Sequence, residues 1–474
     1  FQRLAREIEP AQRRGHGALH HLQGDGPHGG TCRPHPDARV IGARGLKQAG
    51  GLAAKFIDDK VGRELRQDIT HDALGQTRPL LNPVAGVGGD EQGGAANLQR
   101  RLVVERQRYA AIQEHARRPA GVFHALPVSR GGSVVGSKWI GDFVDFYGLN
   151  LLLAESSATS GELDSLLAPV HTLKKAQSLA ARAYGAKRTY FVTNGTSTAN
   201  KIVHQAIVAP GEVVMVDRNC HKSHHHALML TGARTAYLEA YPLNDFAFYG
   251  AVPLSRIKQL LLDYRAAGRL DEVRMITLTN CTFDGIVYDP YKVMSECLAI
   301  KPDLVFLWDE AWFAFARFHP VTRKRTAMVA AETLEENLST NAHAAAYREQ
   351  QKRLFDPETG APAPDSVWLE EDLLPPPDAT IRVYATQSTH KTLTALRQGS
   401  MIHVYDQEFG SGAEEAFHEA YMTHTSTSPN YQILASLDLG RRQVEMEGFA
   451  LVQKQLDLAV SLASAVARHP LDRK

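Results

Sequence analysis

The sequence predicts an α/β protein built around a large, mainly parallel β-sheet. Short continuous apolar runs, such as EVVMVD and LVFLWD, alternate with amphipathic stretches from about residue 123 onward. This alternation is typical of buried parallel strands that are joined by crossover helices. The 474 residues and 43% hydrophobic content are enough for a sizeable core. In addition, polar residues directly follow several of the apolar runs, which is where α/β proteins bind ligands.

The elements can be predicted in order along the chain. The strand-like segments are RTYFV, EVVMVD, RTAYLEA, VRMITLT, LVFLWD, IRVYATQ and RQGSMIHVYD. The helix-like segments are AQSLAARAYGA, TANKIVHQAIV, a histidine-rich stretch, LSRIKQLLLDYRAAG, YKVMSECLAI and EEAFHEAYMTHTS. A final amphipathic stretch that starts at PNYQILASL predicts one long helix leading out of the sheet domain.

Residues 1–120 differ in composition from the rest of the chain. They contain three of the 36 aromatic residues but 17 of the 37 glycines, so few side chains could anchor a core. Their 19 basic and 13 acidic residues make a weakly basic segment, which we predict to be disordered. A nucleic-acid-binding arm is disfavoured because stacking aromatics are almost absent. A stretch that is not a natural coding product stays open as a third interpretation.

The sheet domain is predicted to span residues 121–430 and to contain a charged helical insertion at 327–378. The insertion is predicted because the alanine-rich, charged run AAETLEENLSTNAHAAAYREQQKRLF is typical of an exposed helix and is followed by the proline-rich loop LLPPPD. Residues 431–474 are predicted to form the long helix at the start of a smaller C-terminal domain.

Charge and cysteine content exclude several classes of function. The formal net charge of +1 gives no bulk attraction to nucleic acid or to an anionic membrane. The four cysteines show no CxxC spacing, which argues against a zinc ribbon or a disulfide framework. No unbroken apolar run approaches the roughly 20 residues that cross a bilayer, and no signal peptide is recognisable. We therefore expect a soluble, cytoplasmic protein that binds neither nucleic acid nor membrane.

The run FVTNGTSTAN predicts a strand that turns into a helix. Backbone N–H groups at a helix N-terminus, together with the hydroxyls of Thr196 and Ser197, could hold a phosphate group. The alternative is that these hydroxyls only cap the helix. No GK[ST] follows the glycine, so the run is not a Walker loop.

The run LVFLWDEAWF places a carboxylate, Asp309, at the end of an apolar strand. A buried carboxylate without a partner is costly, so Asp309 needs a cation. A metal, an arginine, a protonated ring nitrogen on a ligand, or a purely structural role as helix cap or ion-pair partner all remain open at this point.

Lys391 follows the strand-like segment IRVYATQ, with Ser388 just before it. A hydroxyl cradle, a strand-end carboxylate and a downstream lysine, in this chain order, match the requirements of pyridoxal 5′-phosphate. The cofactor's phosphate needs hydroxyls, its ring nitrogen needs a carboxylate, and its aldehyde needs a lysine amine of lowered pKa. We therefore predict pyridoxal 5′-phosphate as the cofactor.

Four histidines lie within DRNCHKSHHHA, where His221 and His225 have helical i, i+4 spacing. A metal site is disfavoured because no glutamate, cysteine or third ligand stands at suitable spacing. We instead predict that a flat imidazole from this segment stacks on the cofactor ring, and that His224 to His226 are solvated or packed bystanders.

Six runs of the sequence together resemble the Orn/Lys/Arg decarboxylase family of fold-type-I pyridoxal phosphate enzymes. They are TYFVTNGTSTANKIV, VDRNCHKS, LTNCTFDGIVYD, FLWDEAWF, ATQSTHKTLTALRQGSMI and THTSTSP. The resemblance implies a seven-stranded sheet in the large domain, a small C-terminal domain and a homodimer or larger homo-oligomer with active sites at the subunit interface. It also implies decarboxylation of arginine, lysine or ornithine.

The resemblance assigns a role to each matched residue. Lys391 would be the Schiff-base lysine and Asp309 the partner of the ring nitrogen. Thr196, Ser197 and Ser388 would hold the phosphate. His221 would stack on the ring, while His390 and Trp312 would line the site, with Lys391 or His390 as proton donor. The hydroxyl run at 425–428 would reach a neighbouring subunit's site.

Three features depart from the family pattern. The run FHALPVSRGG stands where many members carry HxPGH, which indicates a divergent branch. Residues 1–120 do not resemble the N-terminal domain of the large bacterial members. The remainder of the C-terminal domain is not in the sequence, so we expect a fragment. Because the residues alone suit any pyridoxal phosphate chemistry, an aminotransferase, an aldolase-type lyase and an inert scaffold that retains the fold remain alternatives.

Overall fold

A computed structural model of the chain describes residues 108–119, 121–122, 126–156 and 163–468. The predictions for residues 1–107 lie outside this range. The first described helix, Arg108–Arg117, falls within the segment that was predicted to be disordered.

Arg108 ties this first helix to the folded domain. It is fully buried, and its guanidinium donates to Asp164 Oδ1 at 3.1 Å while its backbone N–H donates to Asp438 Oδ2 at 3.2 Å. Removing one partner of such a buried ion pair typically destabilises a protein by about 3–5 kcal/mol. The predicted boundary at residue 120 is therefore wrong, and the folded domain includes Arg108.

The main sheet has seven strands in the order β1-β9-β8-β7-β6-β2-β3. Strand β9 runs antiparallel to β1 and β8, and the other neighbouring pairs are parallel, which confirms the predicted mainly parallel sheet. The seven strands are β1 Arg188–Val192, β2 Val213–Asp217, β3 Arg234–Leu238, β6 Val273–Thr279, β7 Val305–Asp309, β8 Arg382–Gln387 and β9 Ser400–Asp406. A separate hairpin, which was not predicted, consists of β4 Pro242–Leu243 and β5 Phe248–Tyr249.

Helices cover both faces of the sheet. In chain order they are α1 Arg108–Arg117, α2 Gly132–Val135, α3 Asp142–Tyr147, α4 Leu149–Leu153, α5 Thr172–Tyr184, α6 Thr196–Ile207, α7 Lys222–Thr231, α8 Leu254–Ala266, α9 Pro290–Ile300, α10 Pro320–Arg323, α11 Ala327–Leu338, α12 Asn341–Leu354, α13 Asp365–Glu370, α14 Thr389–Thr392, α15 Glu414–His424 and α16 Tyr431–Arg468.

The two faces of the sheet carry two separate hydrophobic cores, because side chains alternate along each strand. On β7, Val305 and Leu307 pack with the core that α6, α7 and α16 cover, whereas Phe306 and Trp308 pack with the core under α8, α9 and α11. Continuing this alternation, Asp309 points to the same face as Leu307. The carboxylate is thus directed toward α6 and α7.

The predicted insertion at 327–378 is only in part an exposed excursion. Helix α11 buries one face, including Met328, Ala331 and Leu334, against the sheet's second core. Its charged residues lie on the other face, so the helix is an ordinary amphipathic cover of the sheet. Helix α12 is the exposed element, since Gln350 and Leu354 are its buried residues.

Helix α16 begins inside the domain and ends outside it. Its first half packs against the first core through residues such as Leu434 and Leu437, whereas Leu458 and Leu462 in the second half are 61% and 63% exposed. By length and composition, this helix could cross a membrane: its most apolar 18-residue window has a mean hydropathy of 1.2 and is 6% buried. Charged residues such as Lys454 and Asp457 interrupt its apolar run, so the expectation that no unbroken apolar run spans a bilayer is not contradicted, and the buried first half is that of a core helix.

Candidate active site

Three strands present their carboxyl ends at one edge of the sheet. Strands β7 and β8 are parallel neighbours, and β1 points the same way because β1 and β8 are both antiparallel to β9. Thr196 follows β1, Asp309 ends β7, and Ser388 follows β8. Residues that are far apart in sequence therefore meet at the edge where α/β proteins bind ligands.

Two of the three predicted phosphate ligands are in direct contact. Thr196 Oγ1 lies 2.6 Å from Ser388 Oγ and 3.3 Å from Ser400 Oγ, and all three hydroxyls are buried. Ser197 is exposed one residue further along α6. The turn before α6 needs Gly195, whose φ of 78° is unfavourable for other residues even though a Cβ there would meet nothing within 4 Å.

Asp309 is 2% exposed, and hydrogen-bond donors surround its carboxylate. Oδ2 accepts from Asn200 Nδ2 at 3.0 Å and from His224 Nε2 at 2.9 Å, while Oδ1 accepts from the Ala311 N–H at 3.0 Å. Burial by itself raises the pKa of Asp309, but the bond and charge of His224 and the other two donors outweigh it and hold the pKa below its usual range. Asp309 is therefore a buried carboxylate that stays ionised at neutral pH.

Lys391 lies on the short helix α14, with Nζ 4.5 Å from the centre of the Trp312 ring. Partial desolvation lowers the pKa of the Lys391 amine, and the charge of Asp309 opposes this effect. Trp312 is 38% exposed and also makes an edge-to-face contact with Phe283, at 5.8 Å between ring centres. The lysine and Trp312 are thus neighbours.

The two predicted site histidines have different surroundings. His221 caps helix α7, where its Nδ1 accepts from the Ser223 N–H at 3.3 Å. Burial lowers its pKa, Asp309 raises it and Lys391 lowers it further, so His221 lies within electrostatic reach of both site charges. His390 donates from Nδ1 to the Gly399 carbonyl at 2.9 Å, which fixes its ring against the start of β9.

Three side chains around Asp309 were missed by the sequence analysis: Asn200, His224 and Thr386. His224, predicted as solvated or packed, is fully buried and bonded to Asp309. A sequence signal for two of them existed. Asn200 is four residues after Thr196 on α6, and His224 is three residues after His221, so each shares a helix face with a predicted site residue.

No group of three His, Cys, Asp or Glu residues that could hold a metal ion occurs within the described part of the chain. The cysteines in this part, Cys220, Cys281 and Cys297, are all free.

Comparison with known proteins gives a consistent family. The major domain of the Orn/Lys/Arg decarboxylases matches residues 108–346 and 375–473. The lysine decarboxylase LdcA of Pseudomonas aeruginosa is 34% identical in an alignment of 375 residues that covers 77% of this chain and 44% of that protein. The biodegradative arginine decarboxylase of Escherichia coli is 32% identical in an alignment of 357 residues that covers 73% of this chain and 40% of that protein. The solved structure of lysine decarboxylase A from Pseudomonas aeruginosa superimposes with a TM-score of 0.63 at 32% identity, covering 81% of this chain and 46% of the other.

The sheet and its carboxyl-edge residues define an α/β protein with a lysine, a buried carboxylate and a pair of hydroxyls in one site. Within that class, the chain belongs to the Orn/Lys/Arg decarboxylase family, as the sequence resemblance predicted. It spans less than half the length of the curated relatives that it matches.

Proposed function

We propose that this chain carries the catalytic large domain of a pyridoxal 5′-phosphate-dependent decarboxylase that acts on a basic L-amino acid. The observation that carries the proposal is a buried, ionised carboxylate, Asp309, at the same sheet edge as a lysine of lowered pKa and a buried pair of hydroxyls. The relatives are lysine, arginine and ornithine decarboxylases, which supports a basic amino acid without selecting one.

The donor set at this edge fits pyridoxal 5′-phosphate in each of its parts. Thr196, Ser388 and, at the exposed start of α6, Ser197 offer hydroxyls to a phosphate. Asp309 offers a carboxylate that remains charged when buried, which can keep a ring nitrogen protonated. The amine of Lys391 can hold the aldehyde carbon. When bound, the cofactor supplies an electron sink for the pair of electrons left by loss of carbon dioxide.

The side chains of the protein divide the remaining tasks. The lowered pKa of Lys391 Nζ favours the neutral amine, which is the form that can bond to an aldehyde or accept a proton. The Trp312 ring lies beside Nζ, where a cation–π contact can hold the protonated amine. The ring of His221, held at its Nδ1 by the start of α7, offers a flat surface for stacking. His390, next to Lys391 on α14, is held at its Nδ1 by the Gly399 carbonyl.

The proposal is tested by product analysis. The chain, and in parallel the full-length gene product, would be loaded with pyridoxal 5′-phosphate and incubated with arginine, lysine and ornithine. We expect carbon dioxide and the matching amine from at least one of the three. Keto-acid formation without carbon dioxide would instead indicate an aminotransferase. The absence of any visible cofactor band would indicate an inert scaffold.

Thr196→Val is expected to weaken cofactor binding by about 10- to 100-fold, because valine keeps the shape of threonine but removes a hydrogen bond to a charged phosphate. Thr198→Val is the matched control, since the Thr198 hydroxyl bonds to the Asn194 carbonyl at 3.1 Å and not to Ser388. Titration of the apoprotein with pyridoxal 5′-phosphate measures both affinities. If the two variants bind pyridoxal 5′-phosphate equally tightly, the Thr196 hydroxyl is not a phosphate ligand.

We further propose that the protein acts as a homodimer in the cytoplasm. The segment 135–149 exposes several large apolar side chains, among them Trp139 at 92% and Phe146 at 81%. Contiguous exposed aromatics of this kind mark protein interfaces.

The run at 425–428 is beside the C-terminal end of α6, where His424 Nε2 and Gln205 Oε1 are 2.7 Å apart. That end of α6 is far from Thr196, which supports a role for the run in a neighbouring subunit's site.

A double variant, Trp139→Ser with Phe146→Ser, is expected to weaken the dimer by about 100-fold or more, since two buried aromatic anchors would be lost. Light scattering after size-exclusion chromatography, over a dilution series, measures the change. Met229→Ser serves as the control, because Met229 is an equally exposed apolar residue, at 80%, on a different surface. A double variant that dimerises as tightly as the wild type would contradict this interface.

A further inference from the structure

The Asp309 carboxylate is a buried charge at the edge of the sheet where the candidate site residues meet. Three donors meet its two oxygens, and within the described residues the ion-pair partner of Asp309 is His224. Replacing a buried charged pair by apolar residues is often neutral or stabilising. The arrangement is therefore better explained by a need to present a negative charge at this edge than by stability.

The orientation of the Asn200 amide can be deduced from its neighbours. Asp309 can only accept, so Asn200 must turn its NH₂ group toward Oδ2 and its carbonyl toward Thr386, whose hydroxyl donates to Asn200 Oδ1 at 2.6 Å. The second amide proton of Asn200 goes to Ser223 Oγ at 3.0 Å. Both amide protons are thereby used, and Asn200 donates nothing to His224.

The proton position on His224 follows from the same reasoning. A contact of 2.9 Å with a carboxylate requires the proton on Nε2. Nε2 also lies 3.1 Å from Asn200 Nδ2, a close approach of two donors that converge on the same oxygen. Within the described part of the chain, His224 Nδ1 has no hydrogen-bond partner although it is buried. Within the described residues, the hydrogen bond that fixes this ring is thus the one from Nε2 to Asp309.

We propose that His224 is a positioning residue for the reaction: its Nε2–H holds the Asp309 carboxylate ionised and aimed at the ring nitrogen of the cofactor. This inference rests on the function proposed above and adds a residue to its machinery. His224 acts through Asp309 and does not itself touch the reacting atoms. Among the residues that the structure describes, neither His225 nor His226 has a hydrogen bond to Asp309.

Other titratable groups also surround Asp309 and affect any pH profile. They are His204, His221, Cys220, Glu310 and Lys391, each of which interacts electrostatically with Asp309, and Asp217, which interacts with His224. His204 stays neutral across the physiological range, since burial lowers its pKa to about 3. Burial raises the pKa of Glu310 to about 7, so a matched control is needed to separate its titration from that of Asp309.

The test compares three variants with the wild type. His224→Gln places an amide N–H close to the position of Nε2, whereas His224→Asn keeps a polar side chain that is too short to reach Asp309. His225→Leu is the control, because His225 contacts Cys220, at 3.6 Å, and not Asp309. The measurements are the affinity of each apoprotein for pyridoxal 5′-phosphate, the pH dependence of the visible cofactor band, and thermal unfolding as a check of folding.

We expect His224→Asn to bind the cofactor about 10- to 100-fold more weakly, as the loss of a hydrogen bond to a charged group predicts. The Asp309 pKa should rise, so the acidic limb of the spectral titration should move to higher pH by about one unit. His224→Gln should recover most of both effects, and His225→Leu should match the wild type.

Two results would overturn the inference while leaving the proposed function intact. In the first, folded His224→Asn has the wild-type affinity and pH profile. In the second, folded His224→Gln is as impaired as His224→Asn, which would show that His224 acts through packing. A wild-type protein without a cofactor band would overturn the proposed function and this inference together.

Discussion

Lys391→Ala is expected to reduce amine formation by at least about 1,000-fold and to abolish the covalently held form of the cofactor. The lysine would both hold the cofactor's aldehyde carbon and carry a proton, and the loss of a positioned acid or base alone typically lowers a rate by 10²–10⁴-fold. Its amine is suited to both tasks because partial desolvation lowers its pKa beside Trp312. Initial rates with each basic amino acid, together with the visible spectrum, measure the effect.

Two further substitutions separate the chemistry of Lys391 from its charge. Lys391→Arg retains the positive charge but replaces the amine by a guanidinium, which stays protonated and is not a nucleophile. It should therefore be as inactive as the alanine variant. Lys174→Ala removes an exposed lysine of α5 and should leave the rate unchanged. Wild-type activity in Lys391→Arg would contradict the assignment of Lys391.

Most of the fold could be predicted because strands and helices leave strong local patterns in this sequence. The runs VVMVD and VFLWD are apolar at every position before the aspartate, and the structure buries them on both faces as β2 and β7. Helix α11 was misjudged because its glutamates dominate the sequence, whereas its small buried residues, such as Ala330 and Ala331, are not conspicuous. The helix α1 was missed because its anchor is a buried arginine, a residue type that sequence analysis places on the surface.

The sequence analysis named residues whose side chains have a specific chemistry. It missed residues whose role depends on contacts across the sheet. Lys391 and Asp309 stand out because an amine and a carboxylate at strand ends need an explanation. Asn200 and His224 do not, since their shared partner, Asp309, lies 109 and 85 residues away in the sequence. Hydrogen bonds over such distances are set by strand order, which local patterns do not contain.

Asp309→Asn tests the charge at the centre of the site, and we expect it to lower amine formation by about 10²–10³-fold, as is usual when a positioned electrostatic contact is lost. The new amide has no favourable orientation. With its NH₂ group at the Oδ2 position it meets the Asn200 amide donor, and with that group at Oδ1 it meets the Ala311 N–H. The variant should therefore also be less stable, by about 1–3 kcal/mol.

The matched control for this substitution is Asp217→Asn. Asp217 is likewise a buried carboxylate at the carboxyl end of a parallel strand, but it accepts from the Asn219 N–H at 2.9 Å, next to its own strand. Burial raises its pKa, in contrast to that of Asp309, so it is the less acidic of the two groups. Removing its charge should change the rate little, because only Asp309 has donors arranged to keep it ionised beside Lys391. Equal losses of activity in the two variants, at equal stability, would show that Asp309 has no special role in the reaction.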